Sequence, residues 1–246
     1  ARVTELLEAP GTTRLAFREG AVFDDHDHDH DGHGQEDHAE HDHEAHDHEA
    51  HAGHDHEEHE EHVDKEHADH AGHDHEGTDP HAWLDPENAK LWLEVIAAEL
   101  AALDPENAET YRSNAAAGQE EIAAATEAAR ATLAEAGEID FVVFHDAYHY
   151  FENRFGIAAS GSITLSDASD PSPARIEEVR NRVTDLGVAC VFSEPQFNQR
   201  LVATVTDGTG ARPAVIDPLG FDLTPGADFY PALLRSLAED IAGCKS

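Results

Sequence analysis

The 246-residue chain carries 15 Lys and Arg against 53 Asp and Glu, a formal charge of −38 at pH 7. Such a surface repels phosphate, which excludes nucleic acid and anionic lipid headgroups as partners and points to multivalent cations or basic surfaces. No run approaches the roughly 18 apolar residues of a membrane span, while a 39% hydrophobic content suffices for one large domain or two modest lobes.

The chain opens at Ala1 with nothing that reads as a signal peptide, so a processed chain or a piece of a longer precursor is expected. Residues 24–77 contain almost no large apolar side chain, Val63 being the exception. All but His81, His145 and His149 of the 21 histidines lie in this tract. They alternate with acids, as in His26-Asp27-His28-Asp29-His30, His41-Asp42-His43, His46-Asp47-His48 and His54-Asp55-His56. Neutral imidazole is the commonest protein ligand for zinc, copper and nickel, and neighbouring carboxylates serve as ligands or orient the rings. The tract therefore reads as a disordered secondary metal loop with many overlapping ligand sets and no fixed geometry. Its affinity is expected to be moderate and its selectivity poor, because ordering a flexible chain costs entropy and nothing excludes competing ions. The plainer alternative is a solvated low-complexity spacer.

After the tract comes Asp79-Pro80-His81-Ala82-Trp83-Leu84-Asp85-Pro86. Asp85 is placed to cap a helix whose first residue is Pro86, and the apolar spacing predicts that helix through 89–100. Asp104-Pro105-Glu106 opens a second helix, Ala- and Glu-rich, to about residue 135. At about 45 Å and without a broad apolar face, it reads as a rigid strut between lobes. Its apolar positions are too small for a coiled coil.

Beyond it, extended runs at 139–144, 157–165, 188–192 and 213–216 alternate with helical patterns at 146–155, 172–186, 196–206 and 228–242. Alternation of this kind predicts an α/β fold with a parallel, doubly wound sheet, whose ligands bind at the carboxyl ends of the strands. Polar residues stand at those ends: His145 and Asp146, then Glu194, then Asp217. With His81 entering at a helix start, His81, His145 and Asp217 form a candidate zinc set of two imidazoles and a carboxylate. Each has a plainer reading: His81 packing beside Trp83, His145 satisfied by backbone, Asp217 making a turn before Pro218. Asp146 and Glu194 read as turn or supporting residues. His149 reads as peripheral, since His145 and His149 lack the His-Glu-x-x-His pattern of metalloproteases. Cys190 and Cys244 are too far apart for a Cys-x-x-Cys motif. They are either a disulfide closing about 53 residues, worth on the order of 4 kcal/mol, or two separate buried thiols.

The segments Asp79–Pro86, Phe144-His145-Asp146-Ala147-Tyr148, Ser193-Glu194-Pro195-Gln196-Phe197 and Asp217-Pro218-Leu219-Gly220, in this order, resemble those of the periplasmic zinc-binding proteins of ABC importers, the ZnuA type. The acidic His-rich insertion before Asp79 is similar too, and the resemblance covers nearly the whole chain. It implies two α/β lobes with parallel sheets joined by one long rigid helix, and a metal held between them by three histidines with a carboxylate or water. It assigns His81 and His145 to the second and third histidines, Asp217 to the carboxylate position, and Cys190 with Cys244 to a disulfide of an oxidising periplasm. Histidine rather than glutamate at position 145 implies zinc rather than manganese. The family's first histidine lies well upstream of the insertion. No histidine precedes residue 24 here, so a further histidine ligand is expected outside this chain and the first lobe is expected to be incomplete.

The expected organisation is thus part of an N-terminal lobe at 1–103, containing the loop at 24–77, a linking helix at 104–137, and a C-terminal α/β lobe at 138–246. The expected function is capture of Zn2+ in the periplasm by a monomer and its delivery to a membrane permease. A periplasmic zinc buffer or chaperone acting mainly through the loop is the alternative. A zinc hydrolase is disfavoured, because neither a Ser-His-Asp nor a His-Glu-x-x-His arrangement supplies the base.

Overall fold

In the computed structural model, residues 3–18, 23, 77–164 and 171–245 are described. The histidines at 26–56 singled out above, and all but the last residue of the expected disorder at 24–77, lie outside them. Helix α1 (Pro86–Leu103) starts as its sequence predicts, with the Asp85 side chain accepting from the Glu87 N–H at 2.9 Å and Pro86 at the first position. A 3-10 turn at Pro105–Asn107 leads into α2 (Ala108–Ala136), 29 residues long. At about 1.5 Å per residue that is some 43 Å.

Helix α2 is one long helix, as expected, and it has a packed face. It buries a stripe of Ala115, Ile122, Ala125, Thr126, Ala129, Leu133 and Ala136, and it packs on both α1 and the last α-helix, Phe229–Ala242. Mostly alanine, this stripe gives almost no hydrophobic periodicity in sequence, yet small side chains are what let helices approach closely. At Gly118 an added Cβ would stand 3.0 Å from Leu93 Cδ1.

The remaining elements are β1 (Phe141–His145), α3 (His149–Phe155), β2 (Gly161–Thr164), α4 (Pro173–Leu186), β3 (Cys190–Ser193), α5 (Gln199–Thr206), β4 (Arg212–Val215) and α6 (Phe229–Ala242). The strands form one parallel sheet in the order β2-β1-β3-β4. β1 and β2 are buried at every position, as a sheet covered on both faces requires. One face packs Phe141, Val143 and Phe192 against α2, α3 and α6; the other packs Val142, Ile163 and Val191 against α4 and α5.

Two helices start later than their patterns suggest. α3 begins at His149 because the chain first makes a tight turn, Ala147 N–H donating to His145 O at 2.9 Å. α5 begins at Gln199, after Asn198 caps the Arg200 N–H at 3.1 Å, because Glu194–Phe197 forms a turn of its own. Cys190 and Cys244 are joined, tying the start of β3 to the chain just past α6. Among the described residues no helix is long and apolar enough to cross a membrane.

On α6, burial pushes the Asp240 carboxyl up to about 6, with Glu239 and Asp217 adding like charge. The folded value lies above the ordinary aspartate value, so the folded state disfavours ionisation. Stability is therefore greatest below the unfolded value and falls as pH rises towards about 6. Asp240→Asn is expected to raise stability at pH 7 by about 1 kcal/mol after allowance for solvent screening, and by nothing below about pH 4. Urea denaturation at the two pH values measures the difference.

Candidate metal centre

The strand order decides where the site lies. The chain leaves β1 for β2 on one side and returns to β3 on the other, so the sheet's switch point falls between β1 and β3. At that crevice the carboxyl ends of adjacent strands present His145, the last residue of β1, and Glu194, directly after β3. The two side chains meet: His145 Nδ1 is 2.6 Å from Glu194 Oε1. Both are buried, and the second oxygen, Glu194 Oε2, accepts from Gln196 Nε2 at 2.7 Å. Burial pushes the Glu194 carboxyl up, while the bond to His145 opposes that shift.

His81 arrives from a different stretch. It precedes a 3-10 turn at Ala82–Leu84 that Asp85 and Asn88 hold in place. The Arg154 guanidinium grips both Asp85 oxygens at 2.8 Å, and Asn88 Nδ2 donates to Ala82 O at 3.1 Å. The His81 ring is then oriented by Asp79, whose Oδ1 is 2.7 Å from His81 Nδ1 and also accepts the His81 backbone N–H at 2.9 Å.

The two imidazoles come together, with ring centroids 5.3 Å apart. Each has Nδ1 committed to a carboxylate, which sets the tautomer with the basic lone pair on Nε2. Carboxylate–imidazole pairs of this kind orient metal-binding histidines and raise their basicity.

Asp217 is placed differently. It follows β4, and its Oδ1 accepts the Leu219 N–H at 2.9 Å while Oδ2 accepts the Phe221 N–H. This turn is nonetheless tied to the His81 turn, because Trp83 Nε1 donates to Pro218 O at 3.2 Å. Tyr230 OH donates to Trp83 O at 2.6 Å on the other side. Gly220 is required in the turn: its φ is +67°, and a Cβ there would meet Phe229 Cζ at 2.9 Å. Among the described residues no group of three or more His, Cys, Asp or Glu side chains converges to hold a metal. The structure thus brings His81 and His145 together and leaves the Asp217 carboxylate on backbone donors.

His149 sits beside this pair, with Nδ1 4.0 Å from Asp79 Oδ2 and no hydrogen-bond partner on that atom. Burial, and then the Arg18 charge, lower its proton affinity. The sequence reading missed Asp79 as the partner of His81 and left Glu194 between a turn and a supporting role. The adjacency of Asp79 to His81 was the available signal for the first. Nothing local marks the second, since His145 and Glu194 are 49 residues apart.

Comparison with known proteins gives a consistent picture. The family described as "Zinc-uptake complex component A periplasmic" (ZnuA) matches residues 2–244. The high-affinity zinc uptake system protein ZnuA of Brucella suis is 51% identical over 246 residues, covering 100% of this chain and 70% of that protein. A crystal structure of ZnuA superposes with TM-score 0.60 at 28% identity, covering 69% of this chain and 63% of that one. A zinc-bound ZnuA lacking residues 138–173 gives TM-score 0.59 at 28% identity, over 69% and 62% of the two chains. The chain therefore spans about two thirds of the length of these relatives.

Proposed function

The chain belongs to the ZnuA family of periplasmic zinc-uptake components, and from that premise we propose that it captures Zn2+ in the periplasm and delivers it to the permease of an ABC importer. Proteins of this family are metal carriers and not enzymes. The observation that carries the reading is the buried imidazole pair, His81 and His145, at 5.3 Å and backed by Asp79 and Glu194. Two preoriented imidazoles suit a borderline ion such as Zn2+ better than hard Mn2+ or Mg2+.

A zinc site is usually four-coordinate, so two more donors are needed. Asp217 is one, its turn being held against the His81 turn through Trp83, once it gives up a backbone N–H. A further histidine, which the described residues do not supply, is the other. The protein works as a monomer, the histidine-rich tract collects or stores zinc, and release follows contact with the permease.

Removing residues 24–77 tests which part of the chain captures the ion. Capture at the imidazole pair predicts that the tightest zinc-binding step is retained within about threefold, while the weaker equivalents disappear. Loss of the tight step along with the tract would make the chain a buffer acting through the tract alone.

The carboxylates behind the rings give a finer test. In Glu194→Gln the shape is kept but the charge that favours the Nδ1–H tautomer of His145 is gone. Zinc affinity is expected to fall by about 10- to 100-fold, measured by competition against a chromophoric chelator. Unchanged affinity would mean that Glu194 plays no part in orienting His145.

A further inference from the structure

The segment before the histidine-rich tract delivers one cation to the edge of the site. Arg18 Nε donates to Asp146 Oδ1 at 3.1 Å and Oδ2 at 3.0 Å, and Nη2 donates again to Oδ1. Its Nη1 donates to Glu152 Oε2 at 2.7 Å and Nη2 to Glu152 Oε1 at 3.1 Å. All four carboxylate oxygens are therefore claimed by one guanidinium, and its open face lies 3.6 Å from the centre of the Phe23 ring. Asp146 and Glu152 are only 4% and 2% exposed, so water cannot replace these bonds. Burial lowers the proton affinity of Arg18, but Glu152 and Asp146 outweigh it and hold the guanidinium charged.

The surroundings show what that charge prevents. Asp146 directly follows His145, and Glu152 lies one helical turn after His149. The His149 ring is influenced by Arg18, Asp146, Glu152 and Asp79 together. Without the guanidinium, Asp146 and Glu152 would present four carboxylate oxygens around one position. Oxygen-rich sets of that kind favour hard divalent ions over zinc. Arg18 stands where such an ion would bind.

We propose that Arg18 is a specificity-determining residue for metal capture: by occupying the oxygens of Asp146 and Glu152 it denies hard cations a site beside His145 and leaves the imidazole pair as the donor set. This rests on the zinc-capture reading above. It assigns selectivity against Mn2+ to a side chain that never touches the captured ion.

The test uses the full chain in three forms: unaltered, Arg18→Met, and Arg18→Met combined with Asp146→Asn and Glu152→Gln. Zn2+ is loaded first against a chelator strong enough to empty the histidine-rich tract, and Mn2+ binding is then titrated. Arg18→Met is expected to bind Mn2+ at least about tenfold more tightly than the unaltered chain, and the triple variant to match the unaltered chain. Should Arg18→Met fold poorly, added Mn2+ is expected to restore its circular dichroism and thermal transition, because an ion that binds only the folded state stabilises it. An Arg18→Met protein with unchanged Mn2+ affinity, or an unfolded one that Mn2+ does not restore, overturns the role of Arg18. So does a triple variant that gains Mn2+ affinity as the single one does. Absence of tight zinc binding in the unaltered chain would instead overturn the capture reading itself.

Discussion

Replacing His145 by alanine is expected to weaken the tightest zinc-binding step by on the order of 1,000-fold, more than removal of a supporting carboxylate would. Two losses combine in that number. The first is the metal–nitrogen bond itself, from a ring held in position before the ion arrives. The second is electrostatic. Glu194 is fully buried, and without His145 its Oε1 loses the imidazole 2.6 Å away. A buried carboxylate that loses such a partner holds a proton more readily, which weakens the negative charge that favours a cation. His81→Ala is expected to weaken binding comparably. Titration against a competing chelator measures both. A His145→Ala protein that still binds zinc as tightly as the unaltered chain would place the tight step elsewhere, in the histidine-rich tract.

Removing the Cys190–Cys244 bridge should have the largest effect on stability. The bond closes a separation of 54 residues, and in the chain-entropy treatment such a loop contributes about 4 kcal/mol. It joins the first residue of β3, fully buried, to the chain immediately after α6. The C-terminal segment in turn helps to close α2, since Lys245 Nζ donates to Ala136 O and Arg212 Nη2 donates to Gly243 O at 2.8 Å. With both cysteines replaced by alanine, the thermal midpoint is expected to fall by roughly 10–15 °C. Reductant should do the same to the unaltered chain and nothing to the variant. A fall of under about 3 °C would show that packing of α6 alone holds this end of the fold.

The two predictions concern neighbouring places, because β3 begins at Cys190 and Glu194 follows its last residue, Ser193. Loosening the start of β3 therefore acts on the partner of His145 from four residues away. The double alanine variant is expected to lose some zinc affinity on warming before it unfolds, which a titration at two temperatures would reveal.

What the sequence determined by itself is local. The alternation of apolar runs with capped, proline-led helices identified α1, α2, α4 and the parallel α/β class, because helical and strand periods are written in consecutive residues. The positions of His145, Glu194 and Asp217 at strand ends were legible for the same reason, as was the Asp85 cap. The cysteines were legible as a possible pair, and the family motifs around Asp79 and His145 pointed to a metal. Only the tertiary structure decided which of these groups meet. The order β2-β1-β3-β4 makes β1 and β3 neighbours, and that alone sets Glu194 behind His145. Asp217 accepts from the Leu219 and Phe221 N–H groups in its own turn, one of the two readings open at Asp217-Pro218. Arg18 reaches Asp146 across 128 residues and Glu152 across 134. The alanine stripe of α2 found its partners in α1 and α6 without a visible apolar face. Periodicity is a property of neighbours along the chain. Charge pairing, tautomer choice and close helix contact are properties of neighbours in space, and parallel strand pairing brings those together from distant segments.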